Sequence, residues 1–355
     1  MGLKDVKKAA DAASRGDVPT LHTLLNSQPE LAEDARLINA AALTGQLEAT
    51  RLLLAAGADP DAVVPSHEGY RPLHRAIEHR GVPKTEGHRA VVVALLDAGA
   101  SLDKRSTWRQ ITPLAVAGME GDEEMIALLS QRGAPLNIFT AAITADVAGV
   151  RKFIRAKSAP RKDSNNMSLL HYAALSGLGD KAPLALRQIT ETLLDAGADG
   201  NATEQVGPYP GISVLHFAAC ENFPVAETLL SRGCNPDLGF GQCLWRTPTR
   251  MAEMFLAHGG NVNFRDPAGQ PLLNSRIHWN LPSVVLWLLK NGADPTQADA
   301  LGNTALHEAA DRGINPKVIQ AIIERGGKKT SRNKAGQTPL DLAKAKMRMK
   351  VIPLL

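Results

Sequence analysis

Thr304-Ala305-Leu306-His307-Glu308-Ala309 decides the fold, because near-copies of this stretch run the length of the chain. The pattern is a small residue or threonine, one variable residue, then Leu-His-x-Ala. Further copies are Arg71-Pro72-Leu73-His74-Arg75-Ala76, Ser168-Leu169-Leu170-His171-Tyr172-Ala173 and Ser213-Val214-Leu215-His216-Phe217-Ala218. Thr112-Pro113-Leu114 and Thr338-Pro339-Leu340-Asp341 are weaker versions. An apolar pair and a glycine follow at a recurring distance. They are Leu53-Leu54 with Gly57, Leu95-Leu96 with Gly99, Leu193-Leu194 with Gly197, Leu229-Leu230 with Gly233, Leu288-Leu289 with Gly292, and Ile322-Ile323 with Gly326.

Each piece has a physical meaning. Thr or Ser before Pro is an N-cap followed by the one helical position that tolerates proline. Leu with the paired alanines gives a short first helix a small apolar face, so neighbouring first helices approach closely. The Leu-Leu pair lies on the buried stripe of a second helix, and the glycine takes the left-handed conformation that ends it. A helix pair of this size cannot bury its own core, so copies must stack.

This set resembles the ankyrin repeat, whose signature is Thr-Pro-Leu-His-x-Ala at a period of about 33 residues. The resemblance implies an all-α solenoid of helix-turn-helix units, each sending out a β-hairpin finger. It implies that the motif histidine bonds turn backbone between repeats, and that partners sit on the groove made by first helices and hairpin tips. Closing positions run 57, 99, 133, 157, 197, 233, 259, 292 and 326, and all but Lys157 are glycine. About eleven units are expected in one domain over 1–355, with caps at 1–36 and 338–355 and internal repeats over 37–337. Long intervals mark inserts near 80–88, 178–187 and 204–207. The short intervals ending at 157 and 259 leave no room for an ordinary finger, so two fingers should be missing. In the second of these, 240–246 is read as a shortened first helix, with Thr247 and Pro248 opening the next.

Composition agrees. Hydrophobic residues make up 44% and aromatics only 4%, which suits thin layers of close-packed helices. There is no run of eighteen apolar residues, no secretory leader at residues 1–6, and Val6 stands where a myristoylation site needs Ser or Thr. Three cysteines, Cys220, Cys234 and Cys243, are too few for a disulfide framework, and a cytoplasmic location is expected. The net charge of +4 conceals local excesses: residues 328–350 carry eight Lys or Arg against one acid, and residues 151–163 carry six against one. The first patch reads as a solvated cap face, and nucleic acid is not the expected partner.

Candidate chemistry is thin. His74, Glu78, His79 and His88 miss the spacing of helical zinc motifs, as does His307-Glu308-Ala309-Ala310-Asp311. His216 and Cys220 share a helix face, but Cys234 and Cys243 lack the close pairing of a structural zinc site. Nucleophile-elbow, P-loop and dinucleotide motifs are missing, so neither cofactor nor catalytic residue is expected. The chain reads as a non-catalytic protein-interaction module, monomeric alone, that inhibits, neutralises or scaffolds a protein partner. An effector acting on host proteins is the alternative, with an enzyme using the irregular 204–247 region behind it. Expected partner contacts are Tyr70, Trp108, Arg109 and Tyr209 on hairpin tips, and His79, Met119, His278 and Trp279 on first helices. Glu78, Glu120, Glu221, Asp311 and Arg312 should share that helical face, while Trp245 should bury against its neighbour.

Overall fold

A capped first helix, a tight turn and a second helix recur throughout the computed structural model. It describes residues 3–355 apart from 65–68, 70, 79–82, 107–110, 157–161, 165, 207–208, 246–249 and 267, and gives only the backbone of Leu3, Gln205, Val206, Tyr209, Pro210 and Glu221. Residues 1–212 gather into one compact unit. Its pairs are α1 (Leu3–Arg15) with α2 (Val18–Ser27), α3 (Ala35–Leu43) with α4 (Leu47–Ala55), and α5 (Pro72–Glu78) with α6 (Glu86–Asp97). Then come α7 (Pro113–Met119) with α8 (Glu123–Gln131), α9 (Ile138–Ile143) with α10 (Val147–Arg155), and α11 (Leu169–Ala174) with α12 (Pro183–Asp195).

Residues 213–355 form the second unit. It holds α13 (Val214–Glu221) with α14 (Phe223–Ser231), α15 (Asp237–Cys243) with α16 (Arg250–Ala257), and α17 (Leu272–His278) with α18 (Pro282–Lys290). After α19 (Ala305–Arg312) and α20 (Pro316–Glu324), α21 (Pro339–Ala345) and one 3₁₀ turn, Ile352–Leu354, close the array. Ten helix pairs and a capping helix are thus described, an all-α repeat solenoid in which consecutive pairs stack within each unit.

Local chemistry explains the elements. Thr112 Oγ1 accepts from Ala115 N at the start of α7, with Pro113 at the first helical position, and Ser213 Oγ accepts from His216 N at the start of α13. The eight closing glycines have φ between +80° and +101°, conformations that other residues adopt only with strain. Fingers are spare. Thr203–Val206 (β1) and Tyr209–Ser213 (β2) form the one two-stranded sheet among the described residues, in the finger that the insert at 204–207 lengthens. Two more fingers close on single bridges, Lys162 with Ser168 and Arg265 with Pro271.

The motif histidine ties three of the first helices, α5, α11 and α19, to the approach of the next. His74 Nε2 lies 3.0 Å from Ile111 O, His171 Nε2 3.3 Å from Ile212 O, and His307 Nε2 3.0 Å from Gln337 O. A carbonyl only accepts, so Nε2 carries the proton in all three. At His307 the Thr304 amide donates to Nδ1, which fixes the neutral tautomer. Asparagine stands at the same position in α3 and α17, and its Nδ2 does the same work: Asn39 to Ala62 O and Asn274 to Asn303 O, each 3.0 Å. His216 departs from this role. There the capping Ser213 Oγ donates to Leu238 O at 2.8 Å instead.

Both expected missing fingers are missing: α8 runs to α9, and α14 to α15, through short connections. The first helix after the second gap lies at Asp237–Cys243, three residues ahead of the expected 240–246, and is as long as α5, α7, α17 and α21. Thr247 and Pro248 lie outside the described residues. The early start follows from crowding, because α15 closes directly on α13. Gly239 sits so near Leu215 that an added Cβ would come 2.5 Å from its carbonyl oxygen.

Two second helices are longer than the rest. α6 has 12 residues and α12 has 13, against 9 in α4, α8 and α10. The loop between α11 and α12 also reaches back across the α9–α10 pair. Gly177 N donates to Gly118 O at 2.9 Å, and Lys181 Nζ donates to Gly121 O at 2.6 Å. This strap joins the pairs on either side of the unit that lacks a finger.

Two outcomes are expected. Burial lowers the His74 pKa to about 4, and lowers those of His171 and His307 as well. Below pH 6.5 the unfolded chain takes up protons that the folded chain refuses, so stability falls as pH drops from 6.5 towards 4. His74 alone should cost about 3 kcal/mol across that window. Urea titrations should show the loss, and His74→Asn should reduce it; equal pH slopes for both proteins would contradict the assignment. Second, Gly177→Val should expel the strap, since even a Cβ would come 2.3 Å from Met119 O. Amide exchange in α9 and α10 should then accelerate while α19 and α20 stay protected; unchanged exchange over 138–155 would show that the strap holds nothing.

Candidate functional site

The C-terminal edges of the first helices in residues 213–355 carry several exposed large side chains. Trp279 lies five residues after the donor position of α17, Arg312 five after that of α19, and Lys346 five after Asp341 in α21. In α15, where glycine holds the donor position, the edge carries Trp245.

Trp279 is 58% exposed and Trp245 39% exposed. Their rings meet edge to face, 5.4 Å apart at 68°, and the His278 ring lies 5.7 Å from Trp279. Trp245 was expected to bury; it packs on a neighbour yet keeps much of its surface, because Arg276 fills the space beneath. The Arg276 guanidinium lies 4.4 Å over the Trp245 ring and donates through Nη2 to Gly241 O at 2.6 Å and through Nη1 to Ser275 Oγ at 3.0 Å. Arg276 is only 4% exposed, and burial pulls its pKa to about 10, which still leaves it charged at neutral pH. A buried cation fixed on carbonyl and ring immobilises Trp245, and Trp245 in turn braces Trp279.

The next repeat continues the edge. His278 Nδ1 lies 2.8 Å from Glu308 Oε1, Arg312 Nη2 lies 2.7 Å from His278 Nε2, and Arg312 Nε donates to the same Glu308 oxygen at 3.2 Å. The imidazole makes two of these contacts, at Nδ1 with Glu308 and at Nε2 with Arg312, and the third joins Arg312 to Glu308 directly. Beside them opens a cavity of about 550 Å³ bordered by Leu301, Glu308, Asp311, Lys334 and Leu342. Arg348 Nε donates to Asp311 O at 2.8 Å, which brings the turn after α21 alongside. That turn displays Met347 and Met349, 79% and 73% exposed, among Lys344, Lys346 and Lys350.

Of the expected contacts, His278 and Trp279 meet here. Met119 lies in the first unit, half-buried at the end of α7 beside the Gly177 strap. Tyr209 is in the second strand of the finger hairpin, and its side chain is not described. Tyr70, His79, Trp108 and Arg109 lie outside the described residues. Glu78, expected on the open helical face, is buried within α5. Arg276 was missed, although it stands where Ala173, Ala218 and Ala309 stand in other copies, and a long cation in place of a small residue was the available signal.

Among the described residues no three His, Cys, Asp or Glu side chains are placed to hold a metal ion. Cys234 and Cys243 are buried, Cys220 is exposed, and burial raises the Cys243 pKa to about 12, so it stays a thiol at neutral pH. No helix of the described residues is long and apolar enough to cross a membrane.

A family model for ankyrin repeats in three copies matches residues 10–106 and 275–355, and one for a single ankyrin repeat matches residues 211–239. Together they cover more than half of the chain. The chain is 37% identical over 97 residues to ankyrin repeat and SOCS box protein 11 of Danio rerio, covering 27% of this chain and 32% of that protein. It is 28% identical over 229 residues to the B-cell lymphoma 3 protein homolog of Mus musculus, covering 62% and 47% respectively. Human palmitoyltransferase ZDHHC13 matches at 27% identity over 191 residues, 51% of this chain and 29% of that protein. The chain thus spans less than half the length of each of these relatives.

Proposed function

The chain belongs to the ankyrin-repeat family, and from that premise we propose that it is a non-catalytic interaction module that inhibits, neutralises or scaffolds a protein partner held on the first-helix edge of residues 213–355. The observation that carries the reading is Trp279, a large aromatic more than half exposed at the C-cap of α17 and braced by Trp245. Binding energy concentrates in aromatic and arginine anchors near the centre of an interface. Water gains nothing from such a ring, and the fold already has its core in Phe240, Phe255 and their neighbours. A non-catalytic role is supported by what the histidines do: His74, His171 and His307 are committed to holding repeats together. Further proposed contacts, Tyr70, His79, Trp108, Arg109, Met119 and Tyr209, belong to the first unit.

Trp279→Ala separates binding from folding. Removing an anchor should weaken capture of the cellular partner by about thirtyfold, corresponding to about 2 kcal/mol. The melting temperature should stay within about 2 °C, as for an exposed side chain. Undiminished capture, or a large fall in melting temperature, would assign Trp279 to structure and remove the basis of the proposal.

A further inference from the structure

Charge is divided unevenly along the chain. Residues 213–355 hold seventeen Lys and Arg against eleven Asp and Glu, a net +6, while residues 1–212 net −2. Five of these cations lie at or near the edge described above. Arg312 and Lys346 occupy the position equivalent to Trp279 in the two following repeats, and Lys344, Arg348 and Lys350 crowd the last of them. Trp245 and Trp279 lie on the two repeats before them, and Met347 and Met349 stand among the last of these cations.

We propose that this edge binds an extended acidic peptide segment of a partner protein, with apolar side chains on the tryptophans and methionines and carboxylates on Arg312, Lys344 and Lys346. The proposal rests on the interaction reading and names the chemistry of its partner. First helices that pack at 8–10 Å spacing place four repeat edges over roughly 30 Å, the span of about nine extended residues. Acidic side chains along such a segment would meet one or more cations at each of the last two steps. Arg312 bonds Glu308 and His278 through Nε and Nη2, which leaves Nη1 to meet a carboxylate, and the flexible ammonium groups of Lys344 and Lys346 add long-range attraction.

Two other polyanionic partners fit less well. A single-stranded nucleic acid needs ring faces on which successive bases stack. Here one ring meets the other at 68°, and Arg276 covers a face of Trp245. An anionic membrane rewards a continuous cationic and apolar plane. Here Glu308 and Asp311 border a recess of about 550 Å³ beside Arg312, a shape that accepts a side chain rather than a bilayer surface.

A phage-displayed library of random twelve-residue peptides, selected on the full chain, tests this. Enriched sequences should carry an excess of Asp and Glu around one or two large apolar residues. Their binding should weaken at least tenfold between 50 and 500 mM salt, values chosen to shorten the screening length severalfold. Arg312→Glu should lower it tenfold or more. Lys344→Glu combined with Lys346→Glu, both exposed, should do the same without disturbing the fold. Binders without acidic bias that still require Trp279 would overturn this proposal and leave the interaction reading intact. Binders indifferent to Trp279→Ala and to the charge reversals would overturn both. Preferential retention of phosphatidylserine vesicles or of a poly-dT oligonucleotide, with no acidic peptide enriched, would assign the edge to those partners instead.

Discussion

One hydrogen bond organises this chain: a side-chain N–H at a fixed place on five of the first helices (α3, α5, α11, α17 and α19), donated to a backbone carbonyl on the approach to the next unit. A repeat too thin to own a core must borrow its neighbour's surface, and an apolar contact alone would let neighbours slide. A buried directional bond fixes the register, because leaving its carbonyl unpaired away from water carries a desolvation penalty. The variants obey the same need. Asn39 and Asn274 supply an amide where histidine would supply a ring, and Ser213 supplies its hydroxyl where His216 does not reach.

Where this bond is missing, the chain compensates by other means. At Ala115, Thr140 and Gly239 the donor position bears no group reaching forward, and each case has a substitute. Thr140 turns inward to cap its own helix on Asn137. Gly239 lets α15 close onto α13 without a finger. Around Ala115 and Thr140 the strap from 177 to 181 secures backbone two units away. The loop after α11 thus bonds backbone on the far side of the unit that lacks both a finger and a forward donor.

The same logic explains what could be read from residues alone. The helix pairs, the closing glycines and the two absent fingers were legible because each depends on local chemistry: a cap, a left-handed residue, or a connection too short to turn. The start of α15 was not, since it depends on how closely Gly239 approaches Leu215, a distance between helices rather than along the chain. Glu78 and Trp245 were misplaced for a related reason. Helical position says which way a side chain sets out, but burial depends on what the next repeat brings, and at Trp245 it brings Arg276. His278, Trp279 and Arg312 could be placed on one face from their position on the helices, whereas Glu308 joins them only through stacking. Met347 and Met349 lay inside a basic run that reads as plain solubilising surface until their exposure is seen.

If the inter-repeat bond is the governing constraint, the imidazoles that make it must stay neutral and Nε2-protonated in solution. Nitrogen-15 chemical shifts of His74, His171 and His307, followed from pH 7.5 down to pH 5 while the chain remains folded, test this directly. The account predicts a single Nε2–H tautomer for all three across that range, with titration only at lower pH. Averaged tautomers, or midpoints near 6.5 like those of solvent-exposed histidine, would contradict it.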